Sequence, residues 1–292
     1  MSTLNGPLLM VCAMAGFSTA DAFIKTLSVT VPVGQVGVLL GLGGALILGA
    51  LASFKGAGLG SMRALRGVVL FRNIVEMLAS MFMMLGLALA PFNVVTSVLQ
   101  AMPLVVTLAA ALFLGEAVGW RRWSAILVGF VGVLMIVRPG LQGFDPYALL
   151  PLGAVVMLSA RDLSTRNVPK DVTSLQLSGW GFLALIPSGI LLLILRGETP
   201  VMMNATEWVF QVLMVVIGVL GYGALVLATR TSDIGLTTPF RYSRLVFGIL
   251  IGVVVFGEQP DALTFAGSGL IVVAGLYTLM REMTLRRIKT GL

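Results

Sequence analysis

The stretch VFGEQP, residues 255–260, closes some twenty mostly apolar residues on a Gly-Glu pair, and LFLGEAV at 112–118 does the same. Glu258 and Glu116 stand nearly half a chain apart in 292 residues. A chain that says the same thing twice at that distance is read as two related halves. Shifting one half along the other brings Asp21 onto Asp162, Lys25 onto Arg166, Gln35 onto Gln176 and Thr96 onto Thr238. A short Gly-Glu match arises easily by chance. One shift that aligns positions in several apolar segments does not.

Those segments identify the solvent. Hydrophobic residues make up 58% of the chain and charged residues 11%, where a soluble domain carries about 25% charge. A helix crosses the hydrocarbon layer in about 20 residues. Ten stretches meet that length: 7–27, 34–54, 67–90, 93–115, 122–138, 146–165, 174–195, 208–229, 235–256 and 262–281. The expected fold is therefore an all-α membrane protein of ten transmembrane helices. The halves are 1–142 and 143–292. Each holds five spans, an odd number, so the second repeat lies inverted in the bilayer relative to the first. Such inverted repeats enclose a shared central cavity near the midplane in secondary transporters. The N-terminal run contains AMA at 13–15, but no Lys or Arg precedes it and the apolar run continues beyond, so it reads as the first span.

Charge gives the orientation. With the N-terminus inside, thirteen of the nineteen Lys and Arg fall on the cytoplasmic side, three on the outer side and three within spans. The positive-inside rule then puts both termini in the cytoplasm of a multi-pass protein of the cell inner membrane. The net charge of +7 is accounted for this way, with no nucleic acid as partner. Cys12 is the sole cysteine and there is no histidine. This excludes an internal disulfide, Ser-His catalysis and His-ligated metal; no metal or cofactor is expected. No GxxxxGK[ST] loop exists for ATP.

Polar residues deep in a span are costly and face a bundle interior or an aqueous cavity. Span three reads FRNIVEMLASMFMM (71–84). Arg72 and Glu76 are four apart and share a helical face. Glu76 is either half of a buried pair or a cavity carboxylate for a substrate ammonium or proton. Asn73 and Met77 join it as candidates, Met being adaptable in shape. In span four Thr96, Gln100, Pro103 and Thr107 form one stripe, and Pro103 frees a carbonyl that water or a neighbour must satisfy. In span nine Thr237, Arg241, Arg244 and Gly248 repeat that spacing; Arg244 is placed to bind a carboxylate, and Tyr242 is turned from it by about 100°. Glu76 and Arg244 together would hold a zwitterion at both ends. Trp180 and Tyr222 are candidate aromatic lining. Pro103, Gly115, Glu116, Gly257 and Glu258 are read as structural: the Gly ends a helix, and the Glu stabilises the next helix's N-terminus. Gly37-x-x-x-Gly41 permits close helix approach, in the bundle or in a weak dimer.

TPFRYSRLVFGILIGVVVFGEQPDALTFAGSGLIVVAGLYTLMRE (238–282) and its echo SVLQAMPLVVTLAAALFLGEAVGWRRWSAILVGFVGVLMIV (97–137) resemble the drug/metabolite transporter superfamily in its ten-span EamA-type branch. The sharpest points are Pro239, Phe240, Tyr242, Gly257, Glu258, Pro260, Gly267, Gly275, Arg281 and Glu282. The resemblance implies a central cavity lined mainly by spans 3, 4, 8 and 9, and alternating access. It implies a small-molecule substrate, with the aromatic amino acid exporters as the nearest in kind, while relatives also move nucleotide-like compounds and riboflavin. Arg244 and Leu245 stand where the first-half echo has Met102 and Pro103, a departure from the commoner apolar pattern. An intramembrane enzyme built on Asp21 and Asp162 is the remote alternative; these acids lie towards opposite membrane faces, each with a basic residue four on.

Overall fold

A computed structural model describes residues 5–56, 58–113, 115, 119–140, 144–169, 171–231 and 237–290. These form eleven α-helices: α1 Asn5–Leu27, α2 Val33–Phe54, α3 Gly67–Leu89, α4 Phe92–Leu99, α5 Met102–Phe113, α6 Trp120–Val137, α7 Leu149–Thr165, α8 Ser174–Arg196, α9 Ala205–Thr231, α10 Ser243–Val254 and α11 Ala262–Thr290. Among the described residues nine segments are long and apolar enough to span a bilayer, α4 and α5 together making one of them. The tenth crossing is the 3₁₀ turn Thr238–Tyr242 running into α10. The fold is an all-helical ten-span membrane protein. Glu116, with the first residues of span nine, lies outside the described residues.

Two crossings are broken, and proline accounts for both. Pro103 has no N–H to offer the carbonyl one turn back. The chain instead closes a tight turn, Gln100 N–H to Ser97 O at 3.1 Å and Ala101 N–H to Val98 O at 3.0 Å, before α5 restarts. Pro239 stands in the turn Thr238–Tyr242 that precedes α10. Elsewhere the local signals are ordinary. Thr173 and Gln176 form a reciprocal capping box on α8. Gly115 and Gly257 take φ of +66° and +64°, the left-handed conformation that stops a helix at little cost in glycine.

The packing follows the repeat. α1 lies along α9, and its repeat equivalent α7 lies along α3, the equivalent of α9. α2 packs on α9 as α8 packs on α3, and α1 meets α10 as α7 meets α5. Two pairings map onto themselves, α2 with α8 and α6 with α11. An exchange of halves therefore maps each of these pairings onto another in the set, as two inverted five-span repeats require. Both self-paired crossings are backbone on backbone. At α6–α11, a Cβ on Gly132 would lie 2.6 Å from the Gly267 carbonyl, and one on Gly267 2.5 Å from that of Gly132. Gly34 and Gly189 meet in the same way at α2–α8. Gly41 faces Phe182 and Ile186 of α8, and Gly37 faces Met84, so the glycine pattern of α2 is spent inside the bundle.

A cavity between the repeats and its charged groups

A cavity of about 270 Å³ opens between the halves. Its apolar wall includes Phe17, Leu40, Met83, Met84 and Phe182, with Tyr222 from α9. Its polar groups are Asp21 on α1, Arg72, Glu76 and Ser80 on α3, Arg161 on α7, Ser178 on α8 and Arg244 on α10.

The charges form two clusters. In the first, Glu76 accepts from Arg72 Nη2 at 3.2 Å and from Arg161 Nη1 at 3.2 and 3.4 Å. Arg161 is held from behind by Asp162, through Nε at 2.8 Å and Nη2 at 2.7 Å. Arg72 Nη1 also donates to the Leu177 carbonyl at 3.2 Å and to Asn73 Oδ1 at 3.1 Å. In the second, Arg244 Nη2 meets Asp21 Oδ2 at 2.5 Å, and the guanidinium lies 5.8 Å from the centre of the Phe17 ring. The Nε groups of Arg72 and Arg244 are buried with no hydrogen-bond partner among the described residues. Guanidinium suits such a place because it offers several donors in a fixed plane and is weakly hydrated.

Of the nine candidate substrate-binding residues, Glu76, Tyr222 and Arg244 share this cavity. The other six lie elsewhere. Asn73 donates to the Ala64 carbonyl at 3.1 Å while holding Arg72. Met77 is half-buried on α3 with its carbonyl accepting from Ser80 at 2.8 Å. Trp180 is 2% exposed and packs with Val69 and Val172; its indole N–H reaches the Leu59 carbonyl at 2.9 Å. Thr96 is buried against Gly248, its hydroxyl bonded to the Phe92 carbonyl at 3.0 Å. Gln100 and Tyr242 line a separate hollow of about 50 Å³ with Pro103 and Arg241.

Span four thus contributes nothing to the main cavity, where the resemblance implied that it would. Thr96 and Asn93 are turned onto α10, whose Gly248 and Gly252 let them approach, while Gln100, Pro103 and Thr107 line other hollows. Spans 3, 8 and 9 do line the main cavity, joined by spans 1, 2, 6 and 7. The sequence reading passed over Asp21 and Arg161 as cavity residues. The signal was present: both are ion-forming side chains within apolar segments, and Asp21 aligns with Asp162 across the repeat.

The two ends of the site differ. At one end α4 is sealed onto α10. Glu258 accepts the N–H groups of Phe92 at 2.5 Å and Asn93 at 2.8 Å, so the helix it caps is α4 and not the one following it in sequence. Lys25 Nζ donates to the Ala90 carbonyl at 2.7 Å. Arg138 pairs with Asp261, and that bond with the Thr264 N–H holds the Asp261 carboxyl at about 2. At the other end, the repeat equivalents of α4 and α10 are the turn Thr238–Tyr242 and α5. There a cavity of about 370 Å³ stands between Arg241 and α5, lined also by Thr107, the equivalent of Gly248. Among the described residues, α4 is packed on α10 at one end, and a cavity adjoins Arg241 and α5 at the other.

The sequence matches the EamA-like transporter family over residues 4–138 and again over 146–280. It is 29% identical over 289 residues to a riboflavin transporter of Rhizobium johnstonii (strain DSM 114642 / LMG 32736 / 3841), covering 97% of this chain and 93% of that one. It is 27% identical to the pseudopaline exporter CntI of Pseudomonas aeruginosa (strain UCBPP-PA14), covering 92% and 94%. It is also 27% identical to an S-adenosylmethionine uptake transporter of Rickettsia bellii (strain RML369-C), covering 75% and 72%. A solved crystal structure superposes with a TM-score of 0.63 over 97% of this chain and 99% of that one, at 21% identity.

Proposed function

The chain belongs to the EamA-like transporter family, and from that premise we propose that it exports small metabolites of amino-acid size by alternating access. The observation that carries this is the cavity between the repeats, with ring and thioether walls and two arginine–carboxylate clusters. A volume of about 270 Å³ falls just below the usual range of ligand sites, about 300 to 1,000 Å³, and suits a single-ring metabolite. The neutral and aromatic amino acids are the first such substrates to test. The difference between the two ends supports alternating access: α4 packs on α10, while among the described residues a cavity adjoins Arg241 and α5. Exchanging the two conformations between the repeats would carry the site's opening from one face to the other.

The protein is placed in the cell inner membrane with both termini cytoplasmic, the repeats dividing at 142/143, as a monomer or weak dimer. Riboflavin is the second reading, favoured by the near full-length similarity to the Rhizobium protein. Counterflow in proteoliposomes tests both. Labelled amino acids, nucleosides and riboflavin are offered to vesicles preloaded with the same unlabelled compound. A carrier shows trans-stimulated uptake of at least one; uptake without trans-stimulation points to a channel.

A further inference from the structure

We propose that the cavity selects an organic anion, a ring-bearing carboxylate, over the zwitterion or amine of the same skeleton. The inference rests on the carrier reading and narrows its substrate class. The connected charge system around the cavity comprises Arg72, Arg161 and Arg244 against Asp21, Glu76 and Asp162. Arg241 lies within electrostatic reach of Asp162, Arg161 and Arg244 and lines the adjoining hollows. Arg166 lines the same hollow as Arg241 and Asp162, so the described residues around these spaces carry more guanidiniums than carboxylates. Burying an uncompensated charge is expensive, so a bound anion is favoured by the electrostatics of the whole cluster.

Hydrogen bonding points the same way. The unsatisfied buried atoms of the cluster, Arg72 Nε and Arg244 Nε, are both donors. Every cavity carboxylate already holds a guanidinium: Asp21 takes Arg244, and Glu76 takes Arg72 and Arg161. A substrate ammonium would have to compete with arginines for an oxygen. A carboxylate meets an arginine-bearing wall without that competition and lays its ring against Phe17, Phe182 and Tyr222. The zwitterion clamp of Glu76 and Arg244 expected from the sequence would need both residues released from these bonds.

The test uses one skeleton with four head groups: 3-phenylpropanoate, phenylalanine, phenethylamine and 3-phenylpropanamide. Binding to the full chain in nanodiscs is measured by calorimetry and transport by counterflow. The anion is expected to bind at least about tenfold more tightly than the other three, the scale of one charge-assisted hydrogen bond. Arg241→Gln removes one such guanidinium without breaking an ion pair and should reduce that preference to about threefold or less. Asp21→Asn frees Arg244 and should raise affinity for the anion. Thermal melts of both variants establish that they fold. Equal or tighter binding of phenylalanine or phenethylamine overturns the proposal, as does an unchanged preference in Arg241→Gln. If none of the four binds while riboflavin shows counterflow, the anion proposal falls and the carrier reading stands. If nothing tested shows counterflow, the carrier reading falls with it.

Discussion

Glu258 holds the amino terminus of α4, its two carboxylate oxygens taking the N–H groups of Phe92 and Asn93 at 2.5 and 2.8 Å from 166 and 165 residues away. The last span pair of one repeat thus fixes the start of a helix in the other. A carboxylate there meets both unpaired amides and the positive end of the helix dipole. Glu258→Ala should cost about 1–2 kcal/mol, seen as a lower Tm in detergent. Glu258→Gln, which still accepts a hydrogen bond, should lose less.

Removing Glu76 leaves Arg72 and Arg161 facing each other with no shared acceptor. Breaking a buried pair from one side costs about 3–5 kcal/mol, and this pair borders a cavity, so Glu76→Gln should fall at or below that range. Adding Arg161→Gln should recover part of the loss. The coupling is read from melting of the two single variants and the double; additive losses would mean that the bond carries no energy.

The Arg138–Asp261 pair sits beyond the ends of two spans and gives stability a pH dependence. The guanidinium beside Asp261 and the Thr264 amide lower its carboxyl from 3.8 to about 2. A depressed folded value means the contribution is complete above the unfolded value, near pH 4, and is lost as pH falls through about 2. The Tm gap between wild type and Asp261→Asn should be constant above about pH 5 and shrink below pH 4. Salt should shrink it too, since Asp261 is half exposed.

At the α6–α11 crossing a methyl has no space. Gly132→Ala would put carbon 2.6 Å from the Gly267 carbonyl. The helices must separate, at about 1–3 kcal/mol for overpacking of this kind. Gly269, with nothing within 4 Å of its would-be Cβ, is the control: Gly269→Ala should melt close to wild type.

Orientation is read by labelling. In a Cys12→Ser background, Lys55→Cys should react with an impermeant maleimide only after the cells are opened, and Thr199→Cys in intact cells. The reverse pattern would turn the protein over; reaction of both from one side would break the ten-span count.

What the sequence could tell follows from what each signal depends on. Span length, the repeat shift and the positive-inside tally are one-dimensional, so the ten crossings and their pairing into halves could be read directly. Pro103 announced the break between α4 and α5 because a missing N–H is a local fact. Side-chain direction is not local. Thr96 and Gln100 form a polar stripe on paper, but Gly248 draws Thr96 onto α10, while Gln100 lines a separate small hollow with Tyr242 and Arg241. Trp180 likewise looked mid-span and turns instead to the Leu59 carbonyl. Asp21 and Arg244 are 223 residues apart, and no spacing rule connects them; the repeat that relates Asp21 to Asp162 says nothing of which arginine each acid finds.

Where Gly34 meets Gly189 and Gly132 meets Gly267, the two halves touch through their backbones. These contacts are rivets. A motion that leaves them seated turns the remaining crossings around two fixed pins.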